Sequence, residues 1–153
     1  MKYFQKLRMT FLLGILLCMA GTMSAQEEKG VFIVNESVPV ESISKKDLEK
    51  IYLGKMKAWE GKLKISPCLM DEKTELGERF FDDVLDMSYR KFSGIWRKIV
   101  FSGSSPAPAE FKTSEEVIEY VSQHDGGMGF IPESMLEGLE GCKVLKIEGL
   151  ESF

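Results

Sequence analysis

Histidine is almost absent from this sequence: His124 is the single imidazole in 153 residues. That scarcity removes most metal sites and most acid–base pairs, which draw on histidine first. Proline (5) and glycine (14) are too few for a collagen-like or low-complexity chain. Cations are outnumbered, with 20 Lys and Arg against 24 Asp and Glu and a net charge of −4. Such a balance gives no uniform basic face for nucleic acid, whose phosphates need clustered cations. Long apolar runs are missing as well. The densest stretch, Met9–Ala20, has 12 residues, short of the roughly 20 that a membrane-spanning helix needs.

What is present begins with that stretch. Lys2, Lys6 and Arg8 precede it without an acid, and Gly21, Thr22, Met23, Ser24 and Ala25 follow it. A positive start, a short apolar segment and a small-residue exit are the three parts of a secretory signal peptide. Residues 1–25 read as that leader, cleaved near Ala25, so the protein is exported. Cys18 does not read as a lipid-attachment site, because Leu16 and Leu17 stand where small side chains are required. The mature chain, residues 26–153, loses three cations and keeps 17 against 24 acids, a net charge of −7. Its two cysteines, Cys68 and Cys142, meet an oxidising compartment. Both lie in apolar, strand-like runs, KISPCLM and CKVLKI. They form a disulfide if those strands lie side by side, and otherwise stand as two buried free thiols. A zinc pair lacks its third and fourth ligands.

Apolar periodicity orders the mature chain. GVFIVN (30–35) predicts a buried strand. Ser44 and Asp47 predict the start of a helix whose Leu48, Ile51 and Tyr52 share a face, and Gly54 its left-handed stop. LKISPCLM (63–70) predicts a second strand. Thr74 opens a helix with Leu76, Phe80, Val84 and Leu85 on one side. Ser88 caps another, in which Phe92, Ile95, Trp96, Ile99 and Val100 follow helical spacing. SGSSPAPAEFK reads as a loop, since Pro106 and Pro108 bar regular structure. Ser114 opens a helix carrying Val117, Ile118 and Val121. GMGFIP (127–132) predicts a third strand, Ser134–Leu139 a short helical turn, and CKVLKIEG the last strand. Strands separated by helices predict one α/β domain with a mainly parallel sheet. No linker or internal repeat divides residues 26–153.

Reaction chemistry finds no foothold in these residues. A Ser-His-Asp triad would have to use His124, which reads as an exposed turn residue in SQHDGG, and no G-x-S-x-G elbow accompanies it. Cys68 and Cys142 have no base to activate them. The carboxylate pairs Asp82-Asp83 and Glu115-Glu116 fall on solvated helix faces. GGMGF is not a G-x-G-x-x-G turn, and it enters a strand instead of leaving one. Trp59 and Trp96 have core-like spacing. The chain reads as no enzyme, with no cofactor and no metal.

One chemical feature remains. After Met70 the chain turns through Asp71-Glu72-Lys73 into a helix at Thr74, and a helix start offers free N–H groups and a positive dipole end to an anion. Lys73, Thr74 and the amides of Glu75 and Leu76 are the candidate anion-binding residues. Asp71, Glu72, Glu75 and Glu78 crowd the same turn, and acids there satisfy the dipole by themselves.

Four segments resemble one family. IYLGKMKAWEGKLKISPC (51–68), GIWRKIVFSG (94–103), SQHDGGMGFIP (122–132) and the VFIVN strand are similar, in order and spacing, to the PstS-like phosphate-binding proteins of the periplasmic solute-binding superfamily. The likeness runs from residue 30 to about 148. It implies a single three-layer α/β lobe of a type II periplasmic binding protein, in the periplasm, with a mainly parallel sheet. It also implies a non-enzymatic solute-binding role, with phosphate or a similar small anion as ligand for ABC-type uptake or sensing. The partners implied are an ABC permease, a sensor protein or a second copy. Two departures count against full inheritance. The chain has room for one lobe where the family closes two. The family's arginine falls on Met70 and its Ser-Gly-Thr on Thr74-Glu75-Leu76, so only the Thr74 hydroxyl is kept, with a charge beside it. The alternative is an envelope protein-interaction module that keeps the lobe and has lost the anion.

The leader is checked by N-terminal sequencing of the protein recovered from the cell envelope. Gln26 as first residue is expected; Met1 would contradict the reading.

Overall fold

β-Branched and aromatic residues in GVFIVN form β1, Gly30–Asn35, the strand around which the sheet is arranged. In this computed structural model residues 28–150 and 152–153 are described, and the leader at residues 1–25 lies outside the described residues. β1 is followed by β2 (Ser42–Ser44), α1 (Lys45–Tyr52), β3 (Ser66–Met70) and α2 (Glu75–Arg79). A π-turn, Phe80–Val84, continues α2 directly. Then come α3 (Tyr89–Phe101), β4 (Ala109–Phe111), α4 (Ser114–Gln123), β5 (Gly127–Pro132), β6 (Cys142–Val144) and β7 (Lys146–Glu148).

The main sheet has the order β4-β3-β5-β1-β6. β3 pairs parallel with β4 and β5, while β1 pairs antiparallel with β5 and β6. Four of its five strands therefore run in one direction, and β1 alone runs against them. A second, two-stranded parallel sheet joins β2 to β7.

Two helical layers cover the main sheet. Gly129 and Phe130 are successive residues of β5 and point to opposite faces. On the Gly129 side lie Val117 and Val121 of α4, whose last carbonyls, Val121 O and Ser122 O, accept hydrogen bonds from the Asn35 amide at 2.9 Å. On the Phe130 side Phe80 stacks at 4.5 Å between ring centroids, with Phe32, Tyr52, Phe81 and Phe153 around it edge-on. Both tryptophans are core residues that satisfy their indole N–H groups. Trp59 Nε1 donates to Gly126 O at 3.0 Å and Trp96 Nε1 to Tyr52 O at 2.8 Å. The Tyr52 hydroxyl donates in turn to Cys68 O at 3.2 Å, which ties α1 and α3 to β3.

The helix starts at Ser44, Thr74 and Ser88 are caps as the sequence predicts, and Gly54 takes φ +69° after α1. Five expectations are corrected. α4 is capped one residue earlier, by Thr113, in a capping box with Glu116. The loop SGSSPAPAEFK contains β4, because the prolines bar pairing only up to Pro108, and Ala109–Phe111 then add to the edge of β3. The second strand starts at Ser66 and not at Leu63, since Ala58 and Lys64 bridge across a local turn. The last strand divides at Leu145, where the chain leaves β1 for β2. The helical turn expected over Ser134–Leu139 is a 3-10 turn over Glu133–Met135. In α3, Phe92 and Trp96 reach the core, but Val100 is exposed.

Phe80→Ala is expected to lower stability by about 3–5 kcal/mol, the usual cost of removing a fully buried phenyl, read as a lower urea midpoint with unchanged slope. A loss below about 1 kcal/mol would show that the aromatic cluster does not hold the layers together.

Candidate functional site

The candidate edge lies where β3 and β4 end. β4 keeps Asp71 in register, because Asp71 N donates to Phe111 O at 2.7 Å. The chain then closes a turn on itself. Asp71 Oδ1 accepts from Lys73 N at 2.9 Å, and Asp71 O accepts from Thr74 N at 2.9 Å and from Thr74 Oγ1 at 2.8 Å. Thr74 Oγ1 accepts from Gly77 N at 3.0 Å, the side-chain cap of α2. Gly77 is required by this closure, since a Cβ there would collide with Asp71 O.

This geometry decides what the four candidate residues can offer. The Thr74 proton is directed at Asp71 O, so the hydroxyl donates inward and not to a solute. Lys73 and Glu75 are exposed, and Leu76 is buried against Gly30 at the start of β1. The amides of Glu75 and Leu76 belong to the first turn, where a helix has no internal acceptor for them. They are the donors left for an anion.

Carboxylates surround that spot. The Tyr89 hydroxyl, at the start of α3, donates to both oxygens of Glu110 on β4, at 3.0 and 3.1 Å. Desolvation, the hydrogen bond to Glu110 and the charges of Glu110, Glu72 and Asp71 push the Tyr89 phenol up to about 12. Of these acids only Glu110 touches the ring's hydroxyl; Glu72 and Asp71 act on it through charge alone. Asp71 and Glu72 stand in the sequence beside Thr74, but Glu110 and Tyr89 do not. They join the edge only through the pairing of β4 with β3, within a segment that reads as a loop. Gly77 was legible as a glycine in a first helical turn.

His124 ends α4, with Nδ1 2.7 Å from Tyr120 O and its ring stacked at 4.0 Å on Tyr120. It is exposed and far in the fold from Thr74. A cleft of about 470 Å³ between β1 and the β6–β7 segment is lined by Phe32, Leu145, Ile147, Leu150 and Phe153 and contains none of the candidate residues. Among the described residues no His/Cys/Asp/Glu group of three is placed to hold a metal, and no helix is long and apolar enough to cross a membrane.

Cys68 and Cys142 are free and buried. Their strands are separated by β5 and β1, about 14 Å across at the usual strand spacing, and a disulfide requires Cα atoms within about 7 Å. The condition for a bridge, strands side by side, is not met, and the other reading, two buried free thiols, matches the structure. Burial pushes the Cys68 thiol far up, and the Cys142 thiol up to about 11, with Glu36 adding to it.

No protein-family model and no curated protein matches the chain. Solved structures do. The chain is similar to PstS from Borrelia burgdorferi, with TM-score 0.63 and 16% identity over 80% of this chain and 48% of that one. It is similar to an ABC-type phosphate transport receptor from Vibrio cholerae, with TM-score 0.63 and 15% identity over 82% and 48%. A phosphate ABC transporter substrate-binding protein with bound phosphate from Clostridium perfringens gives TM-score 0.64 and 14% identity over 82% and 47%. At these identities the likeness is one of fold. The chain has the mixed α/β architecture of a single lobe of a PstS-like periplasmic binding protein, and it spans about half the length of each of these chains.

The thiols give a direct check. At neutral pH the processed native protein should leave a thiol reagent unreacted, and unfolding it without reductant should release both Cys68 and Cys142. An unfolded protein that still fails to react would contain the bridge.

Proposed function

We propose that this chain is an exported, non-enzymatic recognition lobe of the solute-binding type, processed near Ala25 and working in the periplasm as the domain 26–153. Its edge at residues 71–76 and Glu110 docks a cation-bearing segment of an envelope partner, such as a permease, a sensor or a second copy. The observation that carries this reading is the Tyr89–Glu110 hydrogen bond, with Asp71 and Glu72 at the end of the neighbouring strand and a threonine whose proton is already committed to Asp71 O.

Magnitudes favour a cation there. A helix N-terminus contributes about 0.3–1 kcal/mol to an exposed anion. One carboxylate about 8 Å from a bound unit charge opposes it by about 2 kcal/mol at an effective dielectric constant near 20. Asp71, Glu72 and Glu110 act together in that direction, against the dipole and the exposed Lys73, Arg90 and Lys91. The same three attract a Lys or Arg side chain, and that attraction weakens with salt.

A second reading keeps the anion and rests on the Clostridium perfringens neighbour, whose structure holds phosphate. Here Lys73, Thr74 and the amides of Glu75 and Leu76 hold phosphate weakly, and a second copy supplies the missing lobe. Thermal unfolding with and without phosphate separates the two readings, because a ligand bound to the native state adds about 2.7 kcal/mol at 100 times its Kd. The docking reading expects no shift at millimolar phosphate and fixed salt. A shift that disappears in Thr74→Ala and Lys73→Ala would establish the anion site in its place.

A further inference from the structure

Eight cations of this acidic chain fall in two segments that hold a single acid between them. From Gly54 to Ser66 it has Lys55, Lys57, Lys62 and Lys64 against the single acid Glu60. From Ser88 to Ala109 it has Arg90, Lys91, Arg97 and Lys98 and no acid. None of these eight side chains is in an ion pair among the described residues.

The fold joins the first segment to the C-terminal half of α3 and the loop after it, at the end of the sheet where β3 and β4 begin. Arg90 and Lys91 stand in the first turn of α3 beside Tyr89. Lys57 Nζ donates to Ser104 O at 3.1 Å, and Trp96 and Ile99 of α3 lie against Gly54. Lys57 and Lys64 line a cleft on one side of the loop 104–108. Arg97, Val100 and Phe101 line another cleft on the other side. At the tip, Phe101 is 84% exposed and Val100 46%, and the next three residues, Ser102, Gly103 and Ser104, are exposed too. An exposed phenyl ring therefore stands at the tip, with Arg97 lining the same cleft and Lys57 held to the loop that follows it.

A protein partner would need a pocket shaped to receive that ring. A bilayer surface needs none, since lipid phosphates meet the cations and the ring enters the boundary between headgroups and acyl chains. One acid, Glu110, lines the cleft with Arg97, Val100 and Phe101, against the cations Lys57, Lys64, Arg97 and Lys98; Asp71 and Glu72 stand at the other end of β3. Lys64 precedes β3 and Asp71 follows it, and five strand residues at ~3.3 Å each hold these ends about 16 Å apart, roughly two Debye lengths at physiological salt.

We infer that this tip is a membrane-surface docking site for a bilayer containing anionic phospholipid, with Phe101 seated at the headgroup boundary and Lys57, Lys64, Arg97 and Lys98 against lipid phosphates. It uses neither the edge at 71–76 nor the docking reading given to it. The test is co-sedimentation of the envelope-purified, processed protein with vesicles. Vesicles of phosphatidylglycerol with phosphatidylcholine should retain the protein at low salt and release it at high salt. Phosphatidylcholine alone should not retain it. Lys57→Glu with Lys98→Glu should reduce binding about tenfold or more, and Phe101→Ser severalfold, both with unchanged urea midpoints. Absence of binding to the anionic vesicles, or equal binding by these variants, would overturn the inference. So would equal binding to neutral vesicles, which would assign adhesion to apolar contact alone. Retention by polyglutamate with no vesicle binding would give the tip to an acidic protein.

Discussion

The contact on which the structure depends is the seating of Phe80. Fully buried, it stacks on Phe130 of the central strand β5 and touches Phe32, Tyr52, Phe81 and Phe153. It also sits where α2 widens into a π-turn, with Leu85 N donating to Phe80 O at 3.1 Å. That wider turn lets Phe80, Phe81 and Val84 all reach the core. Because α2 is anchored at this point, the turn at its head is anchored as well. Asp71, Thr74 and Gly77 then close on one another without help from a ligand.

A self-closed turn has a functional consequence. The donors that would greet an anion are mostly consumed inside the protein, and the carboxylates that remain face outward. Fold and chemistry separate here. The α/β lobe is similar in fold to one half of the phosphate-binding structures, while the residues at the start of α2 include Asp71, Glu72, Glu75 and Glu78. The single-lobe length acts in the same direction, since no second lobe within the described residues covers the edge.

Local features were legible in the sequence because they are decided over three or four residues. The caps at Ser44, Thr74 and Ser88, the glycine stop after α1 and the buried tryptophans all follow from short-range spacing. Thr113 belongs with them, because its T-x-x-E spacing with Glu116 is itself a short-range capping signal, one residue before Ser114. Non-local pairing was not legible. The reversal of β1, the parallel addition of Ala109–Phe111 to β3 and the departure at Leu145 depend on which strands meet. The candidate site divides along the same line. Thr74 and its neighbours could be named from the sequence, whereas Tyr89 and Glu110 reach the edge only through β4. Net charge is limited in a similar way. A net charge of −4 speaks only against a uniform basic face for nucleic acid. It does not show that the lysines before β3 and the cations at the end of α3 share one end of the sheet.

Backbone amide shifts of residues 72–77 and Glu110 in isotopically labelled protein test the central claim most directly, with inorganic phosphate and an oligolysine peptide added in parallel at fixed salt. The peptide should move the Glu72, Lys73 and Glu110 amides saturably, while phosphate leaves Glu75 and Leu76 in place. Saturable movement of the Glu75 and Leu76 amides by phosphate alone, with no response to the peptide, would contradict a cation-docking edge.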